Sequence, residues 1–96
     1  MEISKLAFKS FLLERWEKKF TPDPDNCPIA SFLKYKTHRK VNVGFLTFTL
    51  FRGNRRQMYN NLPKWATDFI SKVVYQSPPT FTGEYAYNLL NQIKEK

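Results

Sequence analysis

"HRKVNVGFLTFTLFRGNRR", residues 38–56, sets a run of β-branched and aromatic residues between two basic clusters. In an extended chain, successive side chains point to opposite faces. From Val41 to Arg52 one face would carry Val41, Val43, Phe45, Thr47, Thr49 and Phe51. The other would carry Asn42, Gly44, Leu46, Phe48, Leu50 and Arg52. Both are largely apolar, unlike a strand open to water on one side. The pattern predicts a single strand buried on both faces, with rings that mostly serve the core. Gly53-Asn54 are turn residues, so a hairpin partner is expected near 55–60.

Helical patterns flank this segment. Residues 4–19 read as an amphipathic helix capped by Ser4, with Leu6, Phe8, Phe11, Leu12 and Trp16 on its apolar side. The stretch "FTPDPDN" stops it, because its prolines cannot continue a helix. "DNCPIASFLKYK" opens a second, short helix from an Asx residue followed by Pro28, burying Ile29, Phe32 and Leu33 and ending near Tyr35. "NNLPKWATDFISKVV" repeats the device, with Asn61 as cap and Pro63 in the first turn. Its apolar face is Trp65, Ala66, Phe69, Ile70, Val73 and Val74. After "QSPPTFTG", Ala86, Leu89, Leu90 and Ile93 fit a terminal helix, while alternation through Tyr85, Tyr87 and Leu89 fits a strand. The expected fold is α+β in the order α-α-β-β-α-α: one compact domain over 1–96, with an antiparallel hairpin or small sheet packed against helices. A chain of 96 residues, 42% hydrophobic and 17% aromatic, has enough to bury for one such core.

The charge is unevenly placed. The net charge is +8, yet residues 1–25 and 68–96 each balance to zero. The excess lies between 26 and 67, where Lys34, Lys36, Arg39, Lys40, Arg52, Arg55, Arg56 and Lys64 face no acid at all. Such a field attracts polyanions and speeds their encounter. The alternative is that the charge serves solubility alone.

Catalytic chemistry has little to stand on. The lone histidine, His38, sits in the charged link "KTHRK" and reads as a solvated surface residue. The lone cysteine, Cys27, excludes an internal disulfide and a cysteine metal cluster. Its place at a helix start could lower a thiol pKa, but a small buried cysteine is commonplace. Asp23 and Asp25 share a Pro-rich loop without the glycine and closing glutamate of a calcium loop. Three glycines cannot form a phosphate cradle of the P-loop or dinucleotide kind. No enzyme, no cofactor and no metal site are expected. No apolar stretch approaches a membrane span and no secretory leader pattern opens the chain, so a cytoplasmic protein of a reducing compartment is expected.

For nucleic acid, "NVGFLTFTLF" matches the RNA-recognition motif poorly: the position before Gly44 is Val43 rather than a base, and the expected second aromatic is Thr47. As an inserted helix, residues 63–74 would offer only Lys64, Asp68, Ser71 and Lys72. The contact surface is therefore expected at Lys36, Arg39 and Lys40 before the strand, with Arg52, Arg55 and Arg56 at its turn. Tyr35 and Tyr59 are the stacking or anchor candidates, with Phe51 ahead of Phe45 and Phe48. Closure at Gly53-Asn54 would put the two clusters at opposite ends of the strand, up to ~40 Å apart at ~3.3 Å per residue, less with a bend at Gly44. They would then be two patches, unless helices bring Lys34 and Lys64 between them.

Asn26, Cys27, Pro28, Ile29 and Ala30, then Val41, Val43 and Gly44, then Leu62, Pro63, Ala66, Phe69 and Ile70 form an ordered set. That set resembles a pattern in small uncharacterised proteins of bacteriophages and some bacteria, over roughly residues 26–81. The resemblance implies a phage or mobile-element accessory protein with a short strand after the last shared helix. It assigns no functional residue. Two expectations for function follow. One is a small basic module that contacts a DNA or RNA backbone without strong sequence preference. The other is an accessory protein that docks on an acidic face of a host protein. A thiol enzyme using Cys27 is a third.

Overall fold

A computed structural model of the protein describes residues 3–53 and 55–93, with residues 56–59 by their backbone alone. The first helix, α1, runs Lys5–Leu13. Ser4 caps it as expected: its hydroxyl accepts from the Ala7 N–H at 3.2 Å. Phe8, Phe11 and Leu12 are buried, but Leu6 is 75% exposed and Trp16 lies beyond the helix. The helix is shorter than 4–19 because residues 14–17 turn, and the carbonyls there serve another element. Gly83 N–H donates to the Lys18 carbonyl and Glu84 N–H to the Trp16 carbonyl, each at 3.0 Å. Those donors open the last helix, α4 (Gly83–Asn91), whose first turn would otherwise leave them unpaired. Thr82 caps the same turn through the Tyr85 N–H. The helical reading of the C-terminal segment holds over the strand reading: Ala86, Leu89, Leu90 and Ile93 are all buried.

Two elements are absent from the residue-by-residue reading, although the resemblance implied a short strand at the place of the second. β1 (Lys19–Phe20) and β5 (Phe81–Thr82) pair antiparallel, Phe20 opposite Phe81, and clasp the ends of the chain together. α2 runs Pro28–Thr37, past Tyr35, and buries Ile29, Phe32 and Leu33. Its cap is Cys27 rather than Asn26: the sulfur accepts from the Ala30 N–H at 3.4 Å, while the Asn26 amide donates to the Thr21 hydroxyl.

The segment expected as one strand is two. β2 (Val41–Val43) turns at residues 44–46 into β3 (Thr47–Arg52), which pairs onward with β4 (Arg55–Asn61). The Gly44 N–H closes the first turn on the Thr47 carbonyl at 2.8 Å. The intervening residues shift the side-chain parity. Val41 stands opposite Leu50 and Val43 opposite Phe48, so odd positions of β2 and even positions of β3 share the core face. The sheet is thus buried chiefly on one face, and the apolar Phe45 and Leu46 are exposed turn residues rather than core. Gly53, at φ 60°, supplies the left-handed turn into β4, and Asn54 lies outside the described residues.

α3 (Lys64–Gln76) starts after Pro63, which serves as its cap without a side-chain bond. Asn61 cannot cap it because it is the last residue of β4, opposite Thr47. Trp65, Ala66, Phe69, Ile70 and Val73 are buried as expected, whereas Val74 is exposed. The α+β order holds, and one hydrophobic cluster runs through all the helices and the sheet. At its centre Phe8 meets the rings of Phe32, Trp65 and Phe69 at 5.3, 5.6 and 5.3 Å, which ties α1 to α2 and α3. No helix among the described residues is long and apolar enough to cross a membrane.

Candidate nucleic-acid interface

The early turn at residues 44–46 reverses the geometry expected of the basic clusters. Because β2 folds back along β3, Lys40 arrives beside Phe51: the Phe51 N–H donates to the Lys40 carbonyl at 3.0 Å. Arg52 in turn stands opposite Arg55 at the next hairpin. Three adjacent strands, each about 4.8 Å from its neighbour, therefore bring both clusters to one end of the sheet. They are one patch and not two.

α2 delivers the first half of that patch. Its last turn carries Lys36, and His38 ends it in the left-handed conformation (φ 56°, ψ 32°), with its N–H on the Lys34 carbonyl at 2.8 Å. Such a residue sends the chain sharply away from the helix. Arg39 and Lys40 follow at once. His38, Arg39, Lys40, Phe51, Arg52 and Gly53 line an open depression of about 590 Å³. The Lys40 ammonium lies 5.5 Å from the centre of the half-buried Phe51 ring. The missing side chain at Gly53 keeps one rim low. No carboxylate lies in the sequence between 26 and 67, the segment that supplies these strands.

The remaining predicted residues divide. Lys36 sits one turn from the patch, its ammonium 5.5 Å from the Phe32 ring. Lys34 is drawn the other way, onto the Asp25 carbonyl. Lys64 lies near the opposite end of the sheet, where Leu62 N–H meets the Leu46 carbonyl, and pairs with Asp68 at 3.3 Å. Lys34 and Lys64 thus do not bridge the clusters, and none is needed. Tyr35 is 57% exposed but belongs to the α1–α2 face, where it packs on Phe11 and the Arg15 guanidinium lies 4.7 Å from its ring centre. That stacked arginine went unnoticed in the sequence because it lies 20 residues from its partner. The side chains of Arg56 and Tyr59 lie outside the described residues. His38 is the addition, since its left-handed turn positions the cluster, and Phe51, already a stacking candidate, lines the depression beside Lys40.

Cys27 is buried at the start of α2. Burial pushes its thiol up from 9.0 to about 11, against the smaller opposing pull of the Ala30 and Ile29 N–H groups. A thiol protonated at neutral pH is a poor nucleophile. Among the described residues, no group of three His, Cys, Asp or Glu side chains could hold a metal ion. Comparison with protein-family models, curated proteins and solved structures finds no match.

Proposed function

We propose that this protein is a small, non-enzymatic, cytoplasmic module that contacts the phosphate backbone of a nucleic acid through the basic end of its three-stranded sheet. The observation that supports this is the adjacency of Lys40 to Phe51 and Arg52, which joins two cationic clusters into one surface. Cations gathered on one surface neutralise phosphates, and a backbone contact carries no sequence information. Lys36, Arg39, Lys40, Arg52 and Arg55 supply the charge, with Arg56 beside them in the chain.

The test is a titration of labelled single-stranded RNA, single-stranded DNA and duplex DNA at several salt concentrations. About four to six phosphate contacts give a log–log slope of roughly −3 to −5. Weak binding to all three, insensitive to salt, would sink the proposal. A second reading, a phage-type accessory protein docking on an acidic host protein, is favoured by the exposed Tyr35 beside Lys36, since an aromatic flanked by cations is a common interface anchor. It expects capture of one acidic partner together with feeble binding to all three nucleic acids.

A further inference from the structure

At the opposite end of the sheet lies a concavity of the opposite character. A cavity of about 240 Å³ opens between the β2–β3 turn, the entrance to α2 and one side of α3. Pro22, Pro24 and Cys27 form one wall, and α3 contributes Ile70 and Val73 to another. Among all the side chains that line it, the Cys27 sulfur is the only heteroatom. Three of the backbone donors around it are already used. Val43 N–H goes to the Pro24 carbonyl at 2.8 Å, Gly44 N–H to Thr47 at 2.8 Å, and Cys27 N–H to Asp23 at 2.9 Å. Nothing in the lining side chains or these donors can repay the desolvation of a charge or a strong hydrogen-bonding group.

The mouth is built of exposed apolar residues. Phe45, 45% exposed, rests on Tyr75 with ring centres 6.3 Å apart, and the half-exposed Val74 lies alongside. A dry apolar cavity of ~150 Å³ is enough for benzene, so this one has room for a ring with a short substituent. We infer that the cavity is a binding site for a small uncharged molecule of single-ring size, held by contact with the proline wall, the turn and α3. The protonated state of the Cys27 thiol fits this, since it leaves that wall neutral. The site is independent of the basic surface, which stands at the far end of the same strands.

The experiment is an amide NMR titration of the full chain with toluene and, separately, with benzoate, which has the same ring and a charge. Toluene is expected to shift the amides of Gly44, Phe45, Ile70 and Val73 saturably, with benzoate at least about tenfold weaker there. Val74→Trp, a change at an exposed helix position, is expected to fill the mouth and abolish the toluene shifts while the rest of the spectrum is kept. Absence of saturable shifts with toluene would overturn the inference. So would equal binding of benzoate, or toluene binding unchanged by Val74→Trp. Saturation of the same amides by a tryptophan-bearing peptide but not by toluene would also overturn it, in favour of a partner protein's side chain.

Discussion

Lys40, the residue before β2, and Phe51 of β3 are neighbours: the Phe51 N–H reaches the Lys40 carbonyl at 3.0 Å, and the Lys40 ammonium sits 5.5 Å from the Phe51 ring centre. In the sequence eleven positions separate them. The turn at 44–46 removes that distance, and the proposed activity rests on its doing so.

Lys40→Ala and Arg52→Ala are each expected to make the salt slope for nucleic acid shallower by about one. Lys64→Ala is expected to leave it unchanged, since Lys64 pairs with Asp68 at the other end of the sheet. An equal effect from all three would point to diffuse charge rather than a located surface.

Gly83 is a packing requirement. A Cβ there would stand 2.1 Å from the Arg15 carbonyl oxygen and 2.9 Å from its carbon, both backbone atoms. Gly83→Ala must push α4 off the turn after α1 and strain the bonds from Gly83 and Glu84 to Lys18 and Trp16. The expected cost is ~2–3 kcal/mol or more, read as a fall in the midpoint of urea unfolding.

His38→Gly is expected to act in the opposite direction. A non-glycine residue in the left-handed region costs ~1–2 kcal/mol, part of which glycine returns to the unfolded chain as entropy. A net gain of ~0.5–1 kcal/mol is expected, with His38→Val losing about as much. The same denaturation series reads both. A null effect of glycine would mean that the imidazole stabilises its own conformation.

Cys27 gives a pH dependence of known sign. Its folded pKa is raised to about 11 from 9.0, so the folded state holds the proton more tightly. The stability linked to that proton is fully present below pH ~9 and lost as pH rises towards ~11, about 2–3 kcal/mol in all. Cys27→Ala removes this component. The stability difference between wild type and variant is therefore expected to shift towards the variant across that window. A difference that stays constant with pH would contradict the burial of the thiol.

The helices were legible because each buries a stripe at helical spacing: Phe8, Phe11 and Leu12, or Trp65, Phe69, Ile70 and Val73. The broken strand was legible too, but in a signal that is easy to pass over. Valines at odd positions 41 and 43 and large apolar residues at even positions 48 and 50 cannot share a face unless a turn intervenes. Alternation on both parities was therefore the mark of two short strands, not of one buried twice. The pairs Lys19–Phe20 and Phe81–Thr82 carry too few residues for any period to register, and only tertiary contact defines them. The separation expected between the two basic clusters was wrong, because it depended on those three turn residues.

The clasp of β1 on β5 and the hand-off of α1's trailing carbonyls to α4 carry a consequence for how the protein is made. Chains emerge amino-terminus first, at ~5–20 residues per second. α1 is synthesised early, yet the donors for the carbonyls that follow it belong to α4, which is made after every other described element. Until then Phe20 lacks Phe81 and the turn at residues 14–17 lacks its donors. Completion of the fold therefore waits until α4 has left the ribosome. A nascent chain halted before Thr82 would display an unclosed aromatic core to whatever chaperone or protease reaches it first.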